Sequence, residues 1–222
     1  MNQVANATEN MNPILRAFSE GGFVMYVILV IGVVAAILII ERFMALKSLR
    51  VDKKDFSDQV FRMIVSGDMR QAISYCDSKS TPLSNTVKSG LVQVMNKRPD
   101  EEVQVAMDAA VLRELPRLEG FTSFLAVLGN VAVLAGLLGT ILGMIGSFRA
   151  VAQADPATKA QLLSEGISHA LNCTGFGLMV AIASILFYGL FQHMIQKSEN
   201  EMLETSMTLM NLVASNREKL RD

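Results

Sequence analysis

Apolar residues are concentrated in three long runs along the sequence, and polar residues fill the stretches between them. The runs cover residues 21–41, 119–149 and 166–196, and Asp, Glu, Lys and Arg occur in them only at the boundaries. About 20 helical residues cross the roughly 30 Å hydrocarbon core of a bilayer, and each run reaches that length. The pattern therefore predicts an all-α integral membrane protein with three transmembrane helices.

The polar stretch between the first two runs, residues 42–118, has the period of amphipathic helices. Apolar residues recur there every three or four positions, as in Val103, Met107 and Val111, which is typical of helices with one buried face. We expect a helical domain inserted between the first two spans. We also expect Pro116 to kink the last helix of this domain before it enters the second span.

Three further segments complete the expected organisation. Residues 197–222 are predicted to extend the third helix and to pack on the inserted domain through an apolar stripe. The stripe consists of Met202, Leu203, Met207, Met210 and Val213. Residues 150–165 are predicted to form a short loop. Residues 1–20 fit a short amphipathic helix on the membrane surface and a disordered tail about equally well.

Basic residues are distributed unequally around the first run. Arg16 alone precedes the run, whereas five basic residues follow it closely, namely Arg42, Lys47, Arg50, Lys53 and Lys54. The cytoplasmic flanks of membrane helices carry the excess of Lys and Arg. This distribution predicts that the N-terminus lies outside and that residues 42–118 and 197–222 lie in the cytoplasm.

The overall composition narrows the classes of function. The net charge of -1 provides no basic surface, so nucleic acid is not an expected partner. Cys76 and Cys173 belong to no CxxC pair, and the sequence has no cluster of His and Cys, so we expect no metal and no cofactor. The chain also has no recognisable set of nucleophile and base, so we do not expect an enzyme.

Small residues are aligned on one face of each of the last two spans. The face in the second span includes Gly136, Gly139, Gly143 and Gly146, and the face in the third includes Ala170, Thr174, Gly177 and Ala181. Membrane helices with such faces can approach each other closely, so the pattern predicts a tightly packed assembly of helices.

Two threonines accompany these faces, Thr140 in the second span and Thr174 in the third. Their hydroxyls could line a shared cavity or bond within the helix contact, and the pattern alone favours the contact. The interiors of the spans contain no Asp, Glu, Lys or Arg. An ion path across a membrane usually needs a titratable group, so a partner would have to supply the acid.

These two spans resemble those of the ExbB/TolQ/MotA proton-channel family. The resemblance is carried by Gly136-Leu137-Leu138-Gly139-Thr140, Gly143-Met144, Gly166-Ile167, Ala170-Leu171, Thr174, Gly177-Leu178 and Ala181. Three spans with a cytoplasmic insert resemble the ExbB and TolQ branch, since MotA-type chains have four spans. The resemblance implies a homopentameric ring in the bacterial inner membrane, with a periplasmic N-terminus and a cytoplasmic C-terminus. It also implies an ExbD- or TolR-like single-span partner whose dimer occupies the pore.

The resemblance further implies a motor subunit that couples proton flow to mechanical work on periplasmic or outer-membrane partners. Thr140 and Thr174 match the two pore threonines of the family and would surround an aspartate of the single-span partner. His169 stands where the family commonly has a glutamate, and His169 and Asn172 are additional candidates for the proton pathway. A histidine at the lipid–water boundary is an equally good interpretation of His169. A flagellar or gliding-type stator subunit, an autonomous ion channel and a structural scaffold remain alternatives.

Overall fold

The computed structural model describes residues 22–49 and 53–216, and the regular secondary structure in these ranges is entirely helical. The amphipathic segment expected in residues 1–20 lies outside the described residues. In chain order the described helices are α1 Gly22–Ser48, α2 Lys53–Val65, α3 Met69–Lys79, α4 Pro82–Met95, α5 Asp100–Glu119, α6 Thr122–Gln153 and α7 Lys159–Asn216.

Among the described residues, three helical stretches are long and apolar enough to cross a membrane. They lie within Gly22–Val65, Asp100–Gln153 and Lys159–Ser215. Many large apolar side chains of these stretches are exposed in the single chain, as at Leu134 and Leu186. An uncovered apolar surface of this extent fits a surrounding of lipid or of neighbouring subunits. The prediction of an all-α protein with three helices of membrane-spanning length is confirmed.

The short helices between the first two spans begin at side chains that cap them. The Asp68 carboxylate accepts the Gln71 N–H at 3.2 Å where α3 begins. Thr81 and Ser84 form a reciprocal capping box around Pro82 at the start of α4. These side chains satisfy backbone N–H groups that no helical carbonyl reaches, so polar residues at these positions define where the chain turns.

The break between α5 and α6 lies at Gly120 and Phe121, after Pro116, where the sequence predicts a kink. α5 continues through Pro116 to Glu119, and the Gly120 N–H donates to the Pro116 carbonyl at 3.0 Å. Gly120 has a φ of 42°, a conformation that residues with a side chain rarely adopt. The helix therefore ends where glycine gives the backbone this freedom, one turn after the proline.

The connection between α6 and α7 is shorter than the loop expected over residues 150–165. Both helices extend into that segment, and only residues 154–158 are not helical. Glu165 is consequently part of α7 and lies one helical turn before His169.

The chain divides into two compact units. The first, called the membrane unit below, is formed within Met1–Ile40 and Phe121–Gly189, and the second, called the helical unit, within Glu41–Gly120 and Leu190–Asp222. The helical unit has its own apolar core, to which α2, α3, α4, α5 and the last part of α7 contribute. Fully buried members of this core include Phe56, Val60, Ile64, Ala72, Leu91, Met107 and Leu209.

The last part of α7 packs inside the helical unit, in agreement with the packing predicted for residues after 197. A Cβ placed on Gly90 of α4 would lie 3.3 Å from Leu209, and the Thr86 hydroxyl lies 3.4 Å from the Met202 sulfur. The prediction that Met207 belongs to the packed stripe is wrong, because its side chain is 63% exposed. Met207 follows Met202 by five residues, which places it about 140° away around the helix.

Candidate functional site

In the membrane unit, α6 and α7 approach so closely that their backbones are in contact. A Cβ added to Gly136 would lie 3.1 Å from the Thr174 Cα, and one added to Gly177 would lie 2.6 Å from the Ala132 carbonyl oxygen. A Cβ does not fit at Gly177 unless a backbone moves, and at Gly136 it would press against the α7 backbone. Small residues allow membrane helices to associate through van der Waals packing and short hydrogen bonds.

The same contact extends along both helices. A Cβ on Gly139 would lie 2.7 Å from the Cys173 Cβ, and one on Gly143 would lie 3.2 Å from the Ala170 Cβ. Ala181 is buried on the same side of α7.

Gly146 does not share this packing, although the helical period aligned it with the other glycines. A Cβ on Gly146 would meet no described atom within 4 Å, apart from those of its own helix and chain neighbours. The neighbouring Ser147 makes the contact instead, because its side chain occupies the space that a Cβ on Gly166 would need. Gly146 faces an open recess beside this contact.

The two threonines make different hydrogen bonds. The Thr174 hydroxyl donates across the helix contact to the Gly136 carbonyl, at 3.0 Å. The Thr140 hydroxyl donates to the Leu137 carbonyl of its own helix, at 2.6 Å. Within α6 the Gly136 carbonyl also receives the Thr140 N–H, since residues four apart are bonded in an α-helix. Both threonines therefore bond to the same carbonyl group, one through its hydroxyl and one through its backbone.

His169 and Asn172 lie on α7 and are both half-buried. His169 lines the recess that Gly146 faces, together with Ser147 and Glu165. Since His169 precedes Thr174 by five residues, the two side chains point about 140° apart around the helix. The structure thus separates His169 from the threonine pair and gives it a different surrounding.

Glu165 is a residue that the sequence analysis did not single out. The hydropathy pattern predicts a loop at this position, but Glu165 lies in α7 on the same side as His169, and both line the recess. The spacing of four residues between them would have revealed the pair if the helix had been predicted to begin before Glu165.

The chemistry that this region can support is the exchange of hydrogen bonds and protons. In the part of the chain that the structure describes, no group of three or more His, Cys, Asp or Glu side chains could hold a metal ion. The polar groups available at the α6–α7 contact are hydroxyls, backbone carbonyls and the Cys173 thiol. A threonine hydroxyl donates one hydrogen bond and accepts others, so it can respond to the protonation state of a facing group.

Comparisons of the sequence and the fold with known proteins identify the family that this chain resembles. The sequence model of the MotA/TolQ/ExbB proton channel family matches residues 78–204. An ExbB-like biopolymer transport protein of Synechocystis is 30% identical over 173 residues, which are 78% of this chain and 81% of that protein. The Tol-Pal system protein TolQ of Pseudomonas aeruginosa is 40% identical over 91 residues, which are 41% of this chain and 39% of TolQ.

A solved structure has a similar fold. The structure of C. jejuni MotAB superposes with a TM-score of 0.61 and covers 97% of this chain and 84% of the compared chain. Its sequence identity of 15% supports the likeness of fold alone. Because the family match covers more than half of the chain and includes α6 and the helix contact with α7, this chain belongs to the MotA/TolQ/ExbB proton channel family.

Proposed function

We propose that this protein is the ring-forming subunit of a proton-driven motor in the bacterial inner membrane. The ring is homopentameric, the N-terminus faces the periplasm, and the helical unit and the C-terminus lie in the cytoplasm. Membership of the proton channel family and the three spanning helices support the membrane location. The excess of basic residues after the first span supports the orientation.

The motor works with a single-span partner of the ExbD or TolR type, which contributes an aspartate to the pore. Relatives of this chain are named TolQ and the biopolymer transport protein ExbB. The interiors of the three spans contain no Asp, Glu, Lys or Arg, so the ring does not itself provide a carboxylate at membrane depth. Moving protons across a bilayer usually requires such a group, which favours a partner that supplies it.

The hydrogen bond from Thr174 to the Gly136 carbonyl is the observation that carries this proposal. While the hydroxyl proton is directed to that carbonyl, the hydroxyl oxygen can accept a hydrogen bond from a protonated partner aspartate. When the aspartate loses its proton, the hydroxyl can rotate and donate to the carboxylate instead. Thr140 can respond in the same way by leaving the Leu137 carbonyl. The two hydroxyls thus stabilise either charge state of the acid.

The driving force is large enough for mechanical work. One elementary charge that moves through 100 mV releases about 2.3 kcal/mol. Several protons for each step would release enough energy to move the partner relative to the ring and to transmit force to periplasmic or outer-membrane proteins.

The experiment compares Thr174→Val with Thr174→Ser in rings reconstituted with the partner in proteoliposomes. We expect valine to abolish proton flux and serine to retain it, because only serine keeps a hydroxyl that can donate and accept. Size-exclusion chromatography of the solubilised complex checks that both variants still assemble. Normal flux through the assembled valine variant would contradict the role of Thr174.

A second measurement tests the alternative that the ring alone is an ion channel. Rings without the partner should pass no protons under a pH gradient, because they lack the membrane carboxylate. Sustained proton-selective flux through partner-free rings would favour a self-sufficient channel.

A further inference from the structure

Asn130 places a polar amide in the apolar interior of the second span. The nearest charged residues in the sequence are Glu119 and Arg149, and Asn130 lies about 6 Å along the helix from the middle of the uncharged run 120–148. Its side chain is exposed in the single chain. Among the described residues, none forms a hydrogen bond with this amide. An amide without a hydrogen-bond partner is strongly unfavourable in hydrocarbon, so a group outside the single chain should meet it.

The helical period turns Asn130 away from both neighbouring spans. It precedes Gly139 by nine residues, which places it about 180° away around α6. Gly139 is a position at which α6 meets α1, because a Cβ there would lie 3.2 Å from a methyl carbon of Val24. Asn130 is also about 120° away from Gly136, where a Cβ would lie 3.1 Å from the Thr174 Cα of α7. The amide therefore points away from the contacts that hold the membrane unit together.

Asn130 lies instead on the side of α6 that carries Thr140. The two side chains are about 80° apart around the helix and about 15 Å apart along it. Val133 and Leu137 lie between them; Val133 is half-buried and Leu137 is 52% exposed. This side of α6 is thus a short apolar strip with a hydrogen-bonding group at each end. Since Thr140 is proposed to face the aspartate of the single-span partner, the same partner helix is the one that Asn130 would meet.

We propose that Asn130 is a positioning residue that hydrogen-bonds the partner's membrane helix and fixes the height of that helix within the ring. The inference deepens the proposed motor function and rests on it. An amide both donates and accepts hydrogen bonds, so the group that fits it is a hydroxyl, an amide or a backbone carbonyl of the partner. With the helical unit in the cytoplasm, this group lies about 15 Å to the cytoplasmic side of the partner aspartate.

The physical reason for such a role is that polar groups specify register. A single asparagine in an otherwise apolar contact between helices selects the register in which it is paired, at a cost in stability. Other registers leave the amide unpaired in hydrocarbon, which disfavours them. The register that pairs Asn130 is then the one that brings the partner aspartate level with Thr140.

The contact is tested by disulfide cross-linking of the intact ring–partner complex in membranes. Asn130→Cys and Val131→Cys are compared in a background with Cys76→Ala and Cys173→Ala, against single cysteines along the partner's membrane helix. Val131 is the matched position, because it lies at nearly the same depth, is 41% exposed and points about 100° away. A disulfide needs Cβ atoms about 3.5–4.5 Å apart, so we expect Asn130→Cys to cross-link to the partner at least about tenfold faster. Disulfides between two copies of this chain, or equal rates at the two positions, would overturn the proposal.

The positioning role is tested by moving the amide to another side of α6. Asn130→Val removes the amide, and Asn130→Val combined with Val131→Asn keeps the composition and the depth but turns the amide away. We expect both variants to lower the proton flux at least about tenfold, because a displacement of about 1 Å at a reacting group can lower a rate about a hundredfold. Val131→Asn alone keeps Asn130 and should conduct like the wild type.

A cysteine at Leu137 reports the height of the partner helix directly. In complexes that contain Asn130, Leu137→Cys should cross-link to partner positions within one helical turn. In both variants without Asn130, the cross-links should shift or spread to neighbouring turns, an effect that a general loss of stability would not produce. An unchanged cross-linking pattern would contradict the positioning role. If these variants do not assemble, the cross-links of Asn130→Cys decide.

The outcomes distinguish this inference from the motor function itself. If Thr174→Val abolishes flux but Asn130→Cys cross-links to the partner no faster than Val131→Cys, the positioning role is wrong and the motor proposal stands. If Thr174→Val conducts normally, the proposed role of the threonines fails whatever the cross-links show.

Discussion

Thr174 is hydrogen-bonded to Gly136 across the contact between α6 and α7, with 3.0 Å between the hydroxyl and carbonyl oxygens. The bond exists because Gly136 has no side chain and its backbone lies against the Thr174 Cα. The same threonine that is proposed to serve the partner aspartate therefore also holds two spans together. A change at this position affects packing and proton transfer together, and the two effects must be measured separately.

The two threonines should differ in their contribution to stability. Thr174→Val removes a hydrogen bond between helices, and such bonds contribute about 0.6–2 kcal/mol in membrane proteins. Thr140→Val removes only a bond to the Leu137 carbonyl of the same helix, which still accepts the Ile141 N–H, and should be nearly neutral. Thermal unfolding of the purified variants in detergent should show a lower Tm for Thr174→Val alone.

One outcome of this measurement would contradict the prediction. An equal loss of stability in both variants would mean that the Thr174 bond does not couple the helices. Thr174→Ser keeps the hydroxyl but loses the methyl group, and its Tm should stay close to that of the wild type. Such a result would show that the methyl group does not account for the stability difference.

Gly177 and Gly175 lie two residues apart on α7 and should respond to alanine in opposite directions. A Cβ on Gly177 would be 2.6 Å from the Ala132 carbonyl oxygen, and this backbone atom cannot move without shifting α6. Overpacking of this kind costs about 1–3 kcal/mol. A Cβ on Gly175 would meet no described atom within 4 Å outside its own helix turn and chain neighbours, so alanine there gains helix propensity of about 0.5–1 kcal/mol.

Thermal unfolding of the purified protein and cross-linking of the proposed ring check this pair of variants. Gly177→Ala should lower the Tm and Gly175→Ala should hold or raise it. A stable, normally assembled Gly177→Ala protein would show that the α6–α7 contact is looser than the structure indicates.

Much of this architecture follows from the sequence because hydrophobic length and helical period are local properties. The three spans and the glycine faces could be read from spacing, whereas the pore role of Thr140 and Thr174 came from the resemblance to the ExbB/TolQ/MotA family. Spacing does not reveal where a neighbouring helix stops making contact. Gly146 lies on the same helical face as Gly139, yet at its level Ser147 makes the contact and Gly146 faces the recess.

Other features depend on conformation rather than on pattern. Pro116 is the stronger helix breaker in a sequence, but the break lies at Gly120, because the chain needs a positive φ there. Glu165 looked like a loop residue, since α7 begins earlier than its apolar run. The family resemblance therefore identifies the threonines of the proposed site, whereas the hydropathy pattern does not reveal the acidic residue of the recess.

Gly120 should tolerate alanine much less well than Gly67, although both have positive φ values of 42° and 85°. A positive φ costs a residue with a side chain roughly 1–2 kcal/mol, and this is the whole effect at Gly67, where a Cβ has open space. At Gly120 the Arg42 guanidinium occupies the space that the Cβ would need. Arg42 is 7% exposed and paired with Glu41 at 2.6 and 2.8 Å, so making room for the Cβ would move its guanidinium out of a buried position.

A double-mutant cycle separates the two causes. Gly120→Ala should lower the midpoint of chemical unfolding more than Gly67→Ala, and Arg42→Ala added to Gly120→Ala should remove the steric part. If Gly120→Ala is equally destabilising with and without Arg42, the guanidinium is not the obstacle and backbone strain alone explains the effect.

Cys76 should make the stability of the helical unit depend on alkaline pH. The side chain is fully buried, and burial raises the pKa of its thiol from 9.0 to about 12, with a further contribution from the negative charge of Asp77. The folded protein holds this proton more tightly than the unfolded chain does. The resulting stabilisation is fully present below pH 9 and is lost as the pH rises from 9 towards 12.

The measurement is chemical unfolding of the wild type and of Cys76→Ala between pH 7 and 12. A shift of this size corresponds to a loss on the order of 4 kcal/mol across the interval, so the difference between the two proteins should change with pH and not stay constant. The titrations of lysines and tyrosines are shared by both proteins and cancel in that difference. In a Cys173→Ala background, Cys76 should also react with a thiol reagent at pH 8 only as fast as the helical unit opens. Immediate labelling of the folded protein, or parallel pH profiles, would contradict a thiol that stays protonated in the core.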